Sequence, residues 1–314
     1  MGSLLAFKKP RYVRSSLQAL DSPNTNVFIK VLGTAQDGGV PQIGCYCDNC
    51  QRARHDPKFM RLRPSLAVFD SKEKKVFIVD ASPDIGLQYD LVHEQMRLRS
   101  RRKNTPDGIL LTHAHIGHYT GLMFYGYEAL SADKLPVFCS RRMNEFLTQN
   151  GPWNQLVEFQ NIAIQLLEPE KTIVLTPRIS ITPLTVPHRD EYSDTLGFVI
   201  AGEVKELLYI PDIQSWHAWD RDIRKEADRV DVALLDGTFY SSNELPGRDL
   251  SRIGHPFITT SIDTLRQIAK KGKTQIYFTH LNHSNLALNP EGDAITNIVN
   301  EGFALAQEGM EISL

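Results

Sequence analysis

Residues 110–122 read Leu110-Leu-Thr-His-Ala-His-Ile-Gly-His-Tyr-Thr-Gly-Leu122, and this stretch decides the fold. The apolar run at 109–111 predicts a buried strand, and the residues after the histidines predict the start of a helix. His113, His115 and His118 occupy the turn between them, where their imidazoles can converge at one side of a sheet edge. Neutral imidazole is a common metal ligand. The stretch therefore predicts a metal site, and a histidine-rich surface loop without a role is the alternative.

The composition is typical of a globular protein, since 41% of the 314 residues are hydrophobic and 23% are charged. The formal net charge of −2 indicates no broad basic surface, so we expect no nucleic-acid partner. No apolar run approaches the roughly 20 residues of a membrane-spanning helix, so we expect no membrane partner. We expect a small-molecule substrate and a cytoplasmic location. A removed leader with a periplasmic or secreted location stays open, as does assembly into an oligomer.

The chain divides into a short arm and one long domain. Residues 1–26 are basic, and their apolar run at 4–7 is shorter than the signal-peptide core of about 7–15 residues, so we expect an N-terminal arm. From residue 27 to residue 314, apolar strand patterns alternate with helical spacing and no linker intervenes. Among the expected helices are those at 122–130, 262–271 and 293–307. We therefore expect one domain over residues 27–314.

Several apolar strands end on a residue of a metal-ligating type. Besides the histidine stretch, these residues are Asp80, His188, Asp212 and His280. An internal echo supports the pattern, because residues 76–80 resemble 207–212 and residues 109–113 resemble 276–280. Ligands commonly bind at the carboxyl ends of strands in layered α/β folds. With helices covering the outer faces, the chain is predicted to be an α/β protein with a four-layer αββα sandwich.

The histidines and one of these aspartates predict two neighbouring metal sites. A carboxylate that follows a strand can bridge two ions, so that one site has three histidines and an aspartate and the next site shares that aspartate. Two ions about 3.5–4 Å apart clamp a phosphoryl or carbonyl centre and generate hydroxide near neutral pH.

A second cluster combines three cysteines with a histidine: Cys45, Cys47, Cys50 and His283. This cysteine spacing is typical of a metal site rather than of a disulfide framework. Three thiolates need a fourth ligand for a closed tetrahedral zinc site, and His283 is the best candidate because it lies three residues after His280. We expect a structural zinc that ties the N-terminal loop to a metal-site loop. A redox or free-thiol function is the alternative.

These patterns resemble the metallo-β-lactamase superfamily, whose loop His-x-His-x-Asp-His reads His113-Ala-His115-Ile-Gly117-His118 here. The resemblance implies the metallo-β-lactamase sandwich. It implies a first metal on His113, His115 and His188, Asp212 between the metals, and a second metal on His118 and His280. Asp80 matches the aspartate of the family's first motif, so we expect it to hold the backbone or a ligand histidine by hydrogen bonds.

Gly117 departs from the family pattern, which has an aspartate at this position. That aspartate is ordinarily a ligand of the second site and a partner of the nucleophilic water. Without it, the second site keeps only His118, His280 and Asp212. We therefore expect the second metal to bind weakly, or water to replace the missing ligand.

The stretch at 33–50 resembles two branches of this superfamily, the phosphoribosyl cyclic phosphodiesterase and the B protein of pyrroloquinoline quinone (PQQ) biosynthesis. Both carry a Cys-x-Cys-x-x-Cys zinc knuckle. Residues 186–195 and 308–312 are similar to the PQQ branch, whereas the intact pair His113 and His115 favours the phosphodiesterase branch, because the PQQ branch commonly loses those histidines.

His255 aligns with a histidine that the phosphodiesterase branch uses as a general acid. A positioned histidine can protonate a leaving oxygen near pH 7. A loop histidine that caps the next helix is the alternative for this position.

The sequence as a whole predicts a metal-dependent hydrolase of a phosphodiester or related ester, in which a metal-bound hydroxide attacks and Asp212 and His255 are catalytic. The expected cofactors are a structural zinc and one or two active-site ions of zinc, manganese or iron. An iron-dependent oxidative enzyme similar to the PQQ branch is the alternative, because three histidines and a carboxylate can hold Fe(II) with open positions. A non-catalytic relic that binds a ligand or partner is a third hypothesis, supported by Gly117 alone.

Overall fold

The computed structural model describes residues 25–97, 105–249 and 253–314. The arm expected at residues 1–26 lies outside these residues, apart from its last two positions, and a single domain over 27–314 stays a prediction. Among the described helices, none combines the length and the apolar character that crossing a lipid bilayer requires.

The strands of the described residues form two seven-stranded sheets. The strands of the first sheet are β1 Val27–Gly33, β2 Ser65–Asp70, β3 Lys75–Val79, β4 Gly108–Leu110, β5 Leu135–Cys139, β6 Ile162–Leu166 and β14 Glu311–Ser313. They lie in the order β14-β1-β2-β3-β4-β5-β6. The pairs from β14 to β3 are antiparallel, whereas β3 to β6 run parallel.

The second sheet repeats this arrangement. Its strands are β7 Ile173–Thr176, β8 Ile179–Val186, β9 Thr195–Ala201, β10 Glu206–Ile210, β11 Val232–Asp236, β12 Gln275–Thr279 and β13 Ala304–Leu305. The order is β13-β12-β11-β10-β9-β8-β7. Again the pairs from β7 to β10 are antiparallel and those from β10 to β13 are parallel. The strand that ends before Asp80 and the strand that ends before Asp212 thus occupy corresponding places, as the internal echo indicates.

The described residues form eight α-helices. They are α1 Asp48–His55, α2 Ile85–Arg97, α3 Ile116–Tyr119, α4 Arg141–Gln149, α5 Trp153–Glu158, α6 Ile223–Arg229, α7 Ile258–Lys271 and α8 Asp293–Asn300. α4 packs Met143 into the core on the first sheet, and α7 packs Leu265 into the core on the second. A third core between the sheets contains Phe77 and Phe198. The predicted four-layer αββα sandwich is confirmed.

The length of α7 follows from its sequence. Ile258, Ile262 and Leu265 are buried at helical spacing, so the apolar face extends one turn before the expected start at 262. The helix ends where Gly272 adopts the left-handed conformation, with φ of 69°, that favours glycine after a helix.

Two other expected helices are shorter than their sequence patterns. After α3 the chain continues only as a 3₁₀ turn over Thr120–Tyr125, because the backbone N–H of Gly121 donates outside the helix, to the carbonyl oxygen of Ala81. The last helix, expected to reach residue 307, ends at Asn300. Gly302, with φ of 88°, turns the chain into β13.

Candidate metal centre

The parallel strands of both sheets end at one edge, and polar side chains follow them there. Asp80 follows β3, His113 follows β4, His188 follows β8, Asp212 follows β10, Asp236 is the last residue of β11, and His280 follows β12. The structure therefore brings together residues that are far apart in the chain, as the sequence predicts.

The first group of donors is formed by His113, His115, His188 and Asp212, whose ligand atoms all lie within 4.8 Å of one another. His188 Nε2 is 3.2 Å from Asp212 Oδ1, and His113 Nε2 is 3.3 Å from Asp212 Oδ2. A tetrahedral site with zinc–ligand distances of about 2.0–2.1 Å needs neighbouring donors roughly 3.3 Å apart. The spacing of this group fits such an ion.

The second group is formed by His118, His280 and Asp212, all of them buried. His118 Nε2 lies 3.3 Å from His280 Nε2, and His280 Nε2 lies 3.6 Å from Asp212 Oδ2. Asp212 belongs to both groups, and its two buried oxygens accept no hydrogen bond from a described residue. Burying a carboxylate without donors is costly, so a cation between these groups fits the residues present.

Asp80 holds His118 from behind. Asp80 Oδ2 lies 2.7 Å from His118 Nδ1, and Asp80 Oδ1 accepts hydrogen bonds from the backbone N–H and hydroxyl of Thr112. With Nδ1 engaged by a carboxylate, Nε2 of His118 is directed into the second group. This is the contact expected of Asp80, and its left-handed backbone, with φ of 62°, positions the carboxylate at the strand end.

Asp236 plays the corresponding part in the second sheet, and the sequence analysis missed it. Asp236 Oδ1 accepts hydrogen bonds from the backbone and hydroxyl of Thr238, and Thr238 Oγ1 lies 2.9 Å from His280 Nδ1. Asp236 Oδ2 lies 2.9 Å from His255 Nδ1. The rule that found Asp80, an apolar strand ending on an aspartate, also holds for residues 232–236 and would have found Asp236.

His255 lies at the cluster and does not cap α7. Its Nδ1 is 3.2 Å from Asp212 Oδ1, and its ligand atoms join Asp236 and His280 in a third close group. The N-cap of α7 is Phe257, without a side-chain hydrogen bond. The geometry therefore agrees with a role at the metal cluster, and the role itself stays a prediction.

The carboxylates and imidazoles of the cluster shift one another's pKa values. Burial lowers the pKa of His255, but the carboxylates of Asp236 and Asp212 outweigh it and raise that pKa to about 10. Burial likewise opposes the charge on His118, whose pKa the Asp80 carboxylate raises to about 9. For His280, burial dominates and lowers the pKa to about 4. The pKa of Asp212 is held well below its usual range by His280, His255 and His188, against the effect of burial.

The cysteine cluster is assembled as expected. The ligand atoms of Cys45, Cys47, Cys50 and His283 all lie within 4.8 Å of one another. His283 Nδ1 is 3.3 Å from Cys45 Sγ and 3.5 Å from Cys47 Sγ. Burial raises the pKa of Cys50 to about 12, so this thiol needs a bound cation to lose its proton at neutral pH. Four donors without an open position fit a structural zinc.

Comparisons with known proteins agree with the fold. A family model described as a beta-lactamase superfamily domain matches residues 75–281. The chain is 26% identical over 307 residues to coenzyme PQQ synthesis protein B of Methylobacterium sp. (strain 4-46), covering 90% of this chain and 99% of that protein. It is 27% identical over 311 residues to the protein of the same name from Klebsiella pneumoniae, covering 92% and 98%.

Two solved structures share the architecture. Zn(2+)-bound PqqB from Methylobacterium extorquens superposes with a TM-score of 0.79 at 22% identity, covering 91% of this chain and 100% of that one. A diphosphatase from the PhnP family superposes with a TM-score of 0.65, also at 22% identity, covering 91% and 96%. At these identities the likeness shows the fold alone.

The family model covers more than half of the chain, and the two sheets carry their histidine and aspartate cluster at the strand ends. The resemblance inferred from residues 113–118 is thereby confirmed, and the chain belongs to the metallo-β-lactamase superfamily.

Proposed function

We propose that the protein is a metal-dependent hydrolase of a phosphodiester or a related ester. The observation that carries the proposal is Asp212, whose buried oxygens lie against the imidazoles of both histidine groups and accept no hydrogen bond from a described residue. Cations held by these groups would neutralise charge on a phosphoryl group and lower the pKa of a water molecule.

In this proposal His255 supplies the proton that the leaving oxygen needs. Its Nδ1 is held between Asp236 and Asp212, which leaves Nε2 to donate the proton. The Asp236 carboxylate, which has the largest of the effects that raise the His255 pKa, favours the protonated imidazole against the effect of burial. A proton held at a fixed atom is the arrangement that general acid catalysis requires.

An iron-dependent oxidative enzyme of PQQ biosynthesis is the second candidate. It is favoured by the relatives named coenzyme PQQ synthesis protein B, which match along 90% of this chain. The group of His113, His115, His188 and Asp212 would hold Fe(II). The PhnP-family diphosphatase shares only the fold with this chain. Because one fold hosts many reactions, that likeness does not favour the hydrolase over the oxidative enzyme.

The test measures hydrolysis of bis-p-nitrophenyl phosphate with zinc or manganese, for the native chain and for His115→Ala. Loss of this ligand is expected to lower the rate by about 100-fold or more. The matched control is His217→Ala, because His217 is an exposed histidine outside the cluster and its loss is expected to leave the rate unchanged. Equal rates for the native chain and His115→Ala would refute the hydrolase. Oxygen uptake on a tyrosine-containing peptide with Fe(II), without ester hydrolysis, would favour the second candidate.

A further inference from the structure

The carboxylate of Asp37 occupies the space beside Gly117. The backbone N–H of Gly117 donates to Asp37 Oδ1 at 2.8 Å. A Cβ at position 117 would lie 2.5 Å from that oxygen and 2.8 Å from the Asp37 Cα. These distances are shorter than real Cβ contacts, so a side chain at 117 and the Asp37 carboxylate exclude each other. Glycine at 117 is thus required by the close approach of another loop.

Asp37 also faces the second group of donors. Its Oδ1 lies 4.0 Å from His118 Nε2, and this nitrogen in turn lies 3.3 Å from His280 Nε2. The Asp37 side chain is only 15% exposed. The carboxylate therefore lies where the histidines of the second group converge.

The loop that carries Asp37 is held firmly against the site. Arg63 Nε donates to the carbonyl oxygen of Asp37 at 2.7 Å, and Arg63 Nη2 donates to that of Gly38 at 3.0 Å. Arg63 is itself fixed by the Asp84 carboxylate, 2.8 Å away. Gln36 Nε2 donates to Asp37 Oδ2. Supported donors of this kind are pre-organised for a ligand.

We propose that Asp37 completes the second cation site, in place of a carboxylate at residue 117. His118, His280 and Asp212 alone give three donors, and Asp212 is shared with the first group. The Asp37 carboxylate, whose Oδ1 is 4.0 Å from His118 Nε2, would supply the fourth donor that a tetrahedral cation takes by moving slightly towards the ion. The expectation of a weak second site, made from the sequence, counted only His118, His280 and Asp212. With Asp37 we expect the second site to fill.

The inference rests on the active-site cations of the proposed function, but its test measures metal binding rather than turnover. The full chain is loaded with zinc, freed of excess metal, and compared with Asp37→Asn by elemental analysis and by competition with a chelating dye. Asparagine keeps the shape of aspartate and an oxygen for the N–H of Gly117. We expect about three zinc ions per native chain, one of them at the cysteines. In Asp37→Asn we expect the zinc affinity of the weakest site to fall about 10–100-fold.

The matched control is Asp190→Asn. Asp190 is an exposed carboxylate two residues after His188, paired with Arg142 at 2.9 Å, and its variant is expected to keep the native zinc count and affinity. A zinc count and affinities unchanged by Asp37→Asn would overturn the inference. A native chain with only about two zinc ions and no weaker site would overturn it as well.

Gly117→Ala tests the same inference without removing any carboxylate. The new methyl group would displace Asp37 Oδ1, so second-site affinity is expected to fall while the first site and the cysteine site stay filled. Native affinity at all sites in a folded Gly117→Ala would contradict the inference; if this variant fails to fold, Asp37→Asn decides. If the native chain hydrolyses no ester but Asp37→Asn binds one zinc ion fewer, the proposed hydrolase function is refuted and the role inferred for Asp37 stands.

Discussion

Single hydroxyl groups hold the histidines of the cluster in place. Thr112 Oγ1 donates to the Asp80 carboxylate at 2.9 Å and lies 3.0 Å from His113 Nδ1 and 3.2 Å from His118 Nδ1. Thr238 stands in the same relation to Asp236, His255 and His280 on the other sheet. Each threonine therefore positions histidines that contribute to different donor groups.

Thr112→Val is expected to weaken metal binding at the cluster by about 10–100-fold, because it removes the hydroxyl that orients two imidazoles while keeping the shape of the side chain. Thr112→Ser keeps the hydroxyl and is expected to bind like the native chain. Zinc titration against a chelating dye measures both variants. Native affinity in Thr112→Val would contradict a role of this hydroxyl in orienting the two histidines.

At the scale of elements, the cysteine cluster joins α1 to the loop after β12. Cys50 lies in α1 and His283 lies three residues beyond His280, and Asn49 Nδ2 donates to the carbonyl oxygen of His283 at 3.0 Å. The loop that carries a histidine of the second donor group is thereby tied to the N-terminal part of the chain.

Cys47→Ser is expected to lose about one zinc ion per chain and to lower the melting temperature by at least about 5 °C, since a structural metal contributes directly to folding stability. The control is Cys139→Ala, because Cys139 is buried in β5 away from the other cysteines and its loss should leave the zinc count unchanged. Elemental analysis and thermal unfolding check both. An unchanged zinc count in Cys47→Ser would contradict the structural site.

At the scale of the whole molecule, a buried ion pair links the two sheets. Asp70 ends β2 in the first sheet and is fully buried. Its carboxylate accepts hydrogen bonds from Thr176 of β7 at 2.7 Å and from Arg178 Nε at 3.3 Å. Burial raises the pKa of Asp70, but the Thr176 hydroxyl, the Glu73 N–H and the Arg178 charge outweigh it and hold the pKa below its ordinary value of 3.8.

Asp70→Asn is expected to lower the free energy of unfolding by about 2 kcal/mol at neutral pH, because it weakens hydrogen bonds to a charged group. A carboxylate with a depressed pKa stabilises the fold above its unfolded-state pKa and loses that effect as pH falls through the folded-state pKa. The difference between Asp70→Asn and the native chain should therefore be constant above about pH 5 and shrink below about pH 4.

Urea unfolding across this pH range measures the effect of Asp70→Asn. The matched control is Asp263→Asn, whose exposed pair with Arg266 is expected to contribute less than about 1 kcal/mol. A difference for Asp70→Asn that grows as the pH is lowered would contradict the assignment of the stabilisation to the charged carboxylate.

Much of this architecture could be predicted from the sequence, because its signals are local. Short apolar runs indicate β3, β10 and β12. A polar residue at the carboxyl end of such a strand is placed at the sheet edge by the strand itself. His113, Asp212 and His280 were found in this way. The helix expected at 122–130 was wrong because the backbone of Gly121 bonds to another loop, and no local pattern records that bond.

The sequence by itself determined the αββα layer architecture and the histidines and aspartates that follow its strands, since each strand dictates which residue reaches the sheet edge. Only the tertiary structure decided which carboxylates meet which imidazoles: Asp236 beside His255, and Asp37 in the space that Gly117 leaves open. The physical reason is that such contacts join loops far apart in the chain, and their distances depend on how the two sheets and their loops pack rather than on the residues of any one segment.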